Sequence, residues 1–203
     1  DRVDYDHDGD LDLFATTFAG GPRLWRNNGN GTFTDVSSAT IPEDFAAAQV
    51  STLTDFDNDR AVDLIVTRGL GAPSLFRNPR EGRFQATPLL SNTPQRATKG
   101  VVAFDFDKDG QMDLAFTHAE PPGLSLWRNI EGKRLEAVPL PKLSGSDFWG
   151  LAALDYDNDG WVDLAAVGSA GPKAHIFLLR NEGSTGFQEV TKEVGLDKVN
   201  LAN

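Results

Sequence analysis

The sequence predicts an all-β fold, a β-propeller of four-stranded antiparallel blades, and three observations carry that expectation. The first is self-similarity: DYDHDGDLDL from Asp4, DFDNDRAVDL from Asp55, DFDKDGQMDL from Asp105 and DYDNDGWVDL from Asp155 align without a gap, at spacings of 51, 50 and 50 residues. A second motif follows each of them, as PRLWRNNGNGTF, PSLFRNPREGRF, LSLWRNIEGKRL and the longer HIFLLRNEGSTGF. Third, the apolar runs between motifs are too short for helices and are bounded by Asn, Asp, Gly and Pro, the punctuation of strands and turns.

Each repeat supplies its strands in the same order. Residues 50–54, 101–104 and 151–154 are apolar runs that end at the first Asp of a loop and make strand one. Strand two leaves the last Asp at residues 13–18, 64–67, 114–117 and 164–167. The Leu-Trp-Arg-Asn and Phe-x-x-Val stretches give strands three and four, joined by turns such as Asn-Asn-Gly-Asn-Gly at 27–31. Four short strands repeated four times fit propeller blades, whereas a parallel β-helix has a much shorter period. The chain is read as a single repeat domain, 1–203, with loops at 4–12, 55–63, 105–113 and 155–163.

The loop pattern is D-x-D-x-D-G-x-x-D. At an effective dielectric of ~20, two carboxylates 4 Å apart repel by about 4 kcal/mol, so a compact loop of four needs a cation. Hard oxygen donors in this number select Ca²⁺ over the smaller, water-retaining Mg²⁺. Site one is assigned to Asp4, Asp6, Asp8 and Asp12 with the carbonyl of Asp10, and site two to Asp55, Asp57, Asp59 and Asp63 with that of Ala61. Site three takes Asp105, Asp107, Asp109, Asp113 and the Gln111 carbonyl; site four takes Asp155, Asp157, Asp159, Asp163 and the Trp161 carbonyl. Up to four Ca²⁺ ions follow. The second loop departs from the pattern, because Arg60 stands where the others have the turn Gly and must accept a left-handed backbone. An Asp at position 9 running straight into a strand also separates these loops from EF-hands, which close with Glu at position 12 between helices.

At these residues the sequence resembles the FG-GAP/VCBS repeats of integrin alpha-subunit propellers and of many bacterial secreted proteins, including the UnbV-like group. Further matches are Gly-Ala-Pro at 71–73, partial copies at 21–22 and 171–172, and Phe-Trp-Gly at 148–150. The resemblance covers nearly the whole chain and implies Ca²⁺ in a loop joining the first two strands of each blade. Family propellers usually have about seven blades, so four repeats suggest part of a larger propeller. A four-bladed ring closed by the C-terminal strand is a second reading, and two chains completing one larger ring a third.

Charge and composition narrow the function. The chain holds 30 acidic and 19 basic residues, a formal charge of −11, and 17 of the acids lie in the four loops. Outside the loops the chain is mildly basic, so the acidity is local. An acidic surplus argues against nucleic-acid partners, and no apolar run reaches the ~18 residues of a membrane span. There is no cysteine, which removes disulfides and thiolate chemistry. No catalytic motif stands out: His7 lies in a metal loop, and His118 and His175 come from different repeats. Arg26, Arg77, Arg128 and Arg180 recur and are read as structural pairings, and Trp25, Phe76, Trp127 and Phe177 as filling between blades. Trp161, inside a metal loop, is the candidate contact residue for a ligand. The expected role is an extracellular or periplasmic, secreted module for adhesion or for protein or glycan recognition, without enzyme activity. The alternative is a structural spacer beside another domain.

Overall fold

A computed structural model describes residues 2–16, 21–42, 48–68, 71–80, 82–89, 97–118, 120–171 and 173–199. The expected strand residues 17–18, Pro172 of one Gly-Pro copy and the tail 200–203 lie outside them. The chain divides into two compact units, Asp1–Gln95 and Arg96–Asn203, each holding two repeats.

In the first unit, β1 (Arg2–Val3), β2 (Asp12–Ala15), β3 (Arg23–Asn27) and β4 (Phe33–Asp35) form one antiparallel meander, followed by the short α1 (Ser37–Thr40). The second meander is β5 (Ala48–Thr54), β6 (Asp63–Arg68), β7 (Ser74–Arg77) and β8 (Gln85–Pro88). The second unit repeats this with β9 (Thr98–Phe104), β10 (Asp113–His118), β11 (Gly123–Ile130) and β12 (Arg134–Val138). Its other sheet is β13 (Ser146–Leu154), β14 (Asp163–Ala170), β15 (Lys173–Asn181) and β16 (Phe187–Glu189). Each sheet takes its four strands from one continuous stretch of chain, and the first draws strand one from Arg2–Val3. The fold is all-β, built from four open four-stranded antiparallel sheets.

Register makes the repeats superimposable. Leu13 faces Trp25, Leu64 faces Phe76, Leu114 faces Trp127 and Leu164 faces Leu179. The fourth member of the Trp25, Phe76, Trp127 series is therefore Leu179, not Phe177; each member stands directly before its Arg-Asn pair. Phe76, Leu179 and Phe177 are buried, while Trp25 and Trp127 are half-exposed.

Within each unit the two sheets pack face to face. In the first, Val3, Phe14, Leu24 and Ile41 of one repeat meet Leu64, Val66, Phe76 and Phe84 of the next. The second unit places Phe104, Ala115 and Leu126 against Leu164, Ala166, Phe177 and Leu179. The first and third sheets thus present a forward face to the following repeat, and the second and fourth a backward face to the preceding one. Strand alternation decides which residues of each strand lie on that face.

Candidate functional site

The four Asp-rich loops join strands one and two of each sheet, and their shape follows from two backward turns of the backbone. Position 6 has positive φ as Gly9, Arg60, Gly110 and Gly160, and so has position 4, as His7, Asn58, Lys108 and Asn158. Arg60, at φ 71, adopts the left-handed conformation expected of it. These reversals turn backbone N–H groups inward. Asp55 accepts from Asp59 N at 3.0 Å and Arg60 N at 2.9 Å, Asp105 from Asp109 N and Gly110 N at 3.1 and 3.0 Å, and Asp155 from Asp159 N and Gly160 N at 3.2 and 2.9 Å. In the first loop Asp4 accepts from Gly9 N at 3.2 Å.

Position 9 ties the loop to the sheet. One oxygen of Asp12, Asp63, Asp113 and Asp163 accepts from the N–H at position 2, Tyr5, Phe56, Phe106 or Tyr156, at 3.0 to 3.1 Å. The other accepts from the N–H of Asn27, Asn78, Asn129 or Asn181 at 2.7 to 2.8 Å. All four side chains are buried. Burial pushes the carboxyl of Asp63 up to about 6 and that of Asp113 to about 7, and raises Asp12 and Asp163, against the opposing pull of these hydrogen bonds.

Three carboxylates converge in every loop, each offering an oxygen within 4.8 Å of the others: Asp4, Asp6 and Asp8; Asp55, Asp57 and Asp63; Asp105, Asp107 and Asp113; Asp155, Asp157 and Asp163. Such clusters could hold a metal ion. The donor set fits a hard cation, because Oδ1 of Asp4, Asp6, Asp57 and Asp107 is buried without any hydrogen-bond donor. Position 5, which joins the converging carboxylates only as Asp8, braces the turn: Asp8, Asp59, Asp109 and Asp159 each accept from the N–H at position 7, Asp10, Ala61, Gln111 or Trp161, at 2.7 to 2.9 Å.

Two arginines of the second motif pair with loop carboxylates. Arg77 pairs with Asp57, and Arg128 with Asp107 at 2.6 Å, each on the oxygen other than the donorless one. Arg180 binds Glu182, and Arg26 donates to the side-chain Oδ1 of Asn28 at 3.4 Å. The reading of these arginines as structural pairings fits these contacts.

The adjacent asparagine was not singled out from sequence, yet it organises the site. Beyond its N–H bond to position 9, its Oδ1 accepts from the chain two or three residues on, at Gly29, Arg80, Gly132 or Gly183, at 2.9 to 3.1 Å. Its amide donates to the position-8 carbonyl of its own loop at Leu11, Met112 and Val162, at 3.1 to 3.3 Å. It also reaches the preceding repeat, from Asn78 to the Tyr5 carbonyl and from Asn181 to the Phe106 carbonyl, both at 2.8 Å. The invariance of Asn in the four Arg-Asn pairs was the available signal.

In the second unit, a cavity of about 780 Å³ lies beside the third and fourth loops. Phe106, Phe187, Trp161, Leu140, two prolines and the 183–186 turn line it, with Arg128 and Asp107 at the loop end. Trp161 is half-buried there: the Lys108 ammonium sits 3.9 Å from its ring centre, and the backbone of Gly183 packs so close that a Cβ would meet the indole at 2.8 Å.

Comparison with known proteins follows the same lines. Among curated proteins, the chain is 30% identical over 146 residues to human cartilage acidic protein 1 and 29% identical over 133 residues to that of Xenopus tropicalis, matching 64% and 63% of this chain. It spans about a fifth of the length of these relatives, 22% and 21%. Among solved structures it is similar to an Agrocybe aegerita lectin recognising non-reducing terminal N-acetylglucosamine, with a TM-score of 0.58, 20% identity, 92% of this chain and 49% of that one. A GH43 glycoside hydrolase engineered for endo-xylanase and exo-arabinofuranosidase activity gives 0.53, 15%, 91% and 38%. At these identities the likeness speaks for the fold. The model of the FG-GAP-like repeat matches residues 4–66 and 55–116, more than half of the sequence, and the loops it covers are those whose geometry is described above. The chain belongs to the FG-GAP-like repeat family.

Proposed function

We propose that the chain is a Ca²⁺-loaded propeller module that recognises a saccharide or protein ligand outside the cell, and that it is not an enzyme. The observation that carries the reading is the set of donorless buried carboxylate oxygens in loops of converging aspartates. Ca²⁺ would be held by Asp4, Asp6 and Asp8, by Asp55, Asp57 and Asp63, and by the corresponding aspartates of the other loops, with the position-7 carbonyls completing the set. The ion supplies positive charge, and millimolar extracellular calcium keeps even weak sites filled. The aspartates of these loops are thereby committed to structure, which leaves no free pair for general acid and base work.

Recognition is assigned to the cavity beside Trp161. Aromatic walls with hydroxyl-bearing Ser184 and Thr185 suit the apolar faces and polar rims of a sugar ring, and the fold is shared with a lectin. Glycan-array screening followed by calorimetry, with calcium and with EGTA, tests this. A ligand bound in calcium and weakened about tenfold or more by Trp161→Ala is the expected result. Absence of any ligand at every calcium level would instead favour the second reading, a scaffold that positions a neighbouring domain.

A further inference from the structure

We propose that the turn between β3 and β4 is an acceptor for N-linked glycosylation, with Asn30 as the modified residue. Asn30-Gly31-Thr32 has the Asn-x-Thr spacing that oligosaccharide transferases read on exported proteins, and the sequence holds this spacing once. The repeat does not demand it. By the shared register of strands three and four, the counterparts of Asn30 and Thr32 are Glu81 and Arg83 in the second repeat and Gly132 and Arg134 in the third. All three residues of the motif are exposed. Gly31, at φ 83, folds the chain back so that Asn30 Oδ1 accepts from Thr32 N at 3.1 Å and from Thr32 Oγ1 at 2.6 Å. The same hydroxyl accepts from the Asn28 amide at 2.9 Å, which leaves its own proton for Asn30. The oxygen side of the Asn30 carboxamide is thus held by two donors, while Nδ2, at the opposite end of the group, has no hydrogen-bond partner among the described residues.

In the transfer, Asn30 Nδ2 bonds to the anomeric carbon of an oligosaccharide carried on a lipid pyrophosphate. The bond from that carbon to the phosphate oxygen breaks, the lipid pyrophosphate leaves with its electron pair, and Nδ2 gives up one proton to a base of the transferase. The site has a use in the fold: β4 ends its sheet, an open strand edge is a template for pairing with another chain, and a bulky hydrated glycan just before it shields that edge. Only the extracellular placement is borrowed from the reading above, and an export signal supplied in the experiment makes the outcome independent of it. The full chain, secreted from a eukaryotic cell and freed of that signal, is expected to run heavier than its 22.0 kDa and to return to that mass with peptide N-glycosidase. Carried out in heavy-oxygen water, the digestion converts a glycosylated Asn30 to a labelled Asp, which peptide mass spectrometry separates from spontaneous deamidation at Asn30-Gly31. Thr32→Ser, which keeps the hydroxyl, is expected to retain the glycan, and Thr32→Ala and Asn30→Gln to lose it, each with an unchanged circular-dichroism spectrum. A secreted chain without the labelled Asp overturns the proposal, as does a glycan that persists in Asn30→Gln.

Discussion

Arg60 is the residue at which the repeat breaks its own rule. The other three loops spend a glycine at position 6, where a left-handed backbone is free of Cβ strain; Arg60 adopts φ 71 and keeps the N–H bond to Asp55 at 2.9 Å. A left-handed L-residue costs roughly 1 to 2 kcal/mol, part of which returns as the lower chain entropy of a non-glycine. Arg60→Gly is therefore expected to stabilise the chain by about 0.5 to 1 kcal/mol, read as a shift of the urea midpoint at constant m. An unchanged or lower midpoint would show that the arginine side chain compensates for its backbone. This site was legible in the sequence because one letter differed among four aligned loops. Position 4 was less so: His7, Asn58 and Asn158 belong to residue types that tolerate a left-handed backbone, but Lys108 does not, and its positive φ follows from the closure of the loop.

At the scale of elements, strands and loops were readable from apolar runs ending on aspartate, and the linkage between them was not. Asn181 shows why. Its amide serves Phe106 O and Val162 O while its Oδ1 takes the N–H of Gly183, three partners brought together by register and by packing of one sheet on another. No local pattern announces a partner 75 residues away. Replacing it by Ala leaves the buried Phe106 O and two part-buried groups without partners, at ~1 to 3 kcal/mol for the buried one and less for the others, so Asn181→Ala is expected to destabilise by about 3 kcal/mol. Asn27→Ala, whose partners are Leu11 O and the exposed Gly29 N, should lose about 1 kcal/mol. Chemical denaturation of the two variants side by side decides the matter; equal losses would mean that the link to the preceding repeat adds nothing. The Phe177 reading followed aromatic character: the residue directly before the Arg-Asn pair, aromatic in the first three repeats, is Leu179 in the fourth, and the pairing of Leu164 with Leu179 fixes that equivalence.

For the whole molecule, the formal charge of −11 conceals four local clusters whose mutual repulsion a bound cation would relieve. Stripping the metal with EGTA is expected to lower the melting temperature, each site filled at a hundred times its dissociation constant contributing ~2.7 kcal/mol. An unchanged melting temperature would refute metal loading. The metal-free chain should also respond to pH in an unusual sense. Asp63 and Asp113 hold their protons up to about pH 6 and 7 when folded, well above the unfolded value near 4, so their protonated forms favour the native state. Stability in EGTA should therefore fall as pH rises from about 4 to 7, followed by melting at each pH; a rise across that window would contradict the burial of these carboxyls. The asparagine amide that reaches back to the carbonyl of the preceding loop also bears on the ancestry of such arrays. A gene segment encoding one repeat carries both the donor for its predecessor and the acceptor for its successor, so an in-frame duplication arrives already able to join its neighbours, and lineages can lengthen or shorten the array without reinventing the seam.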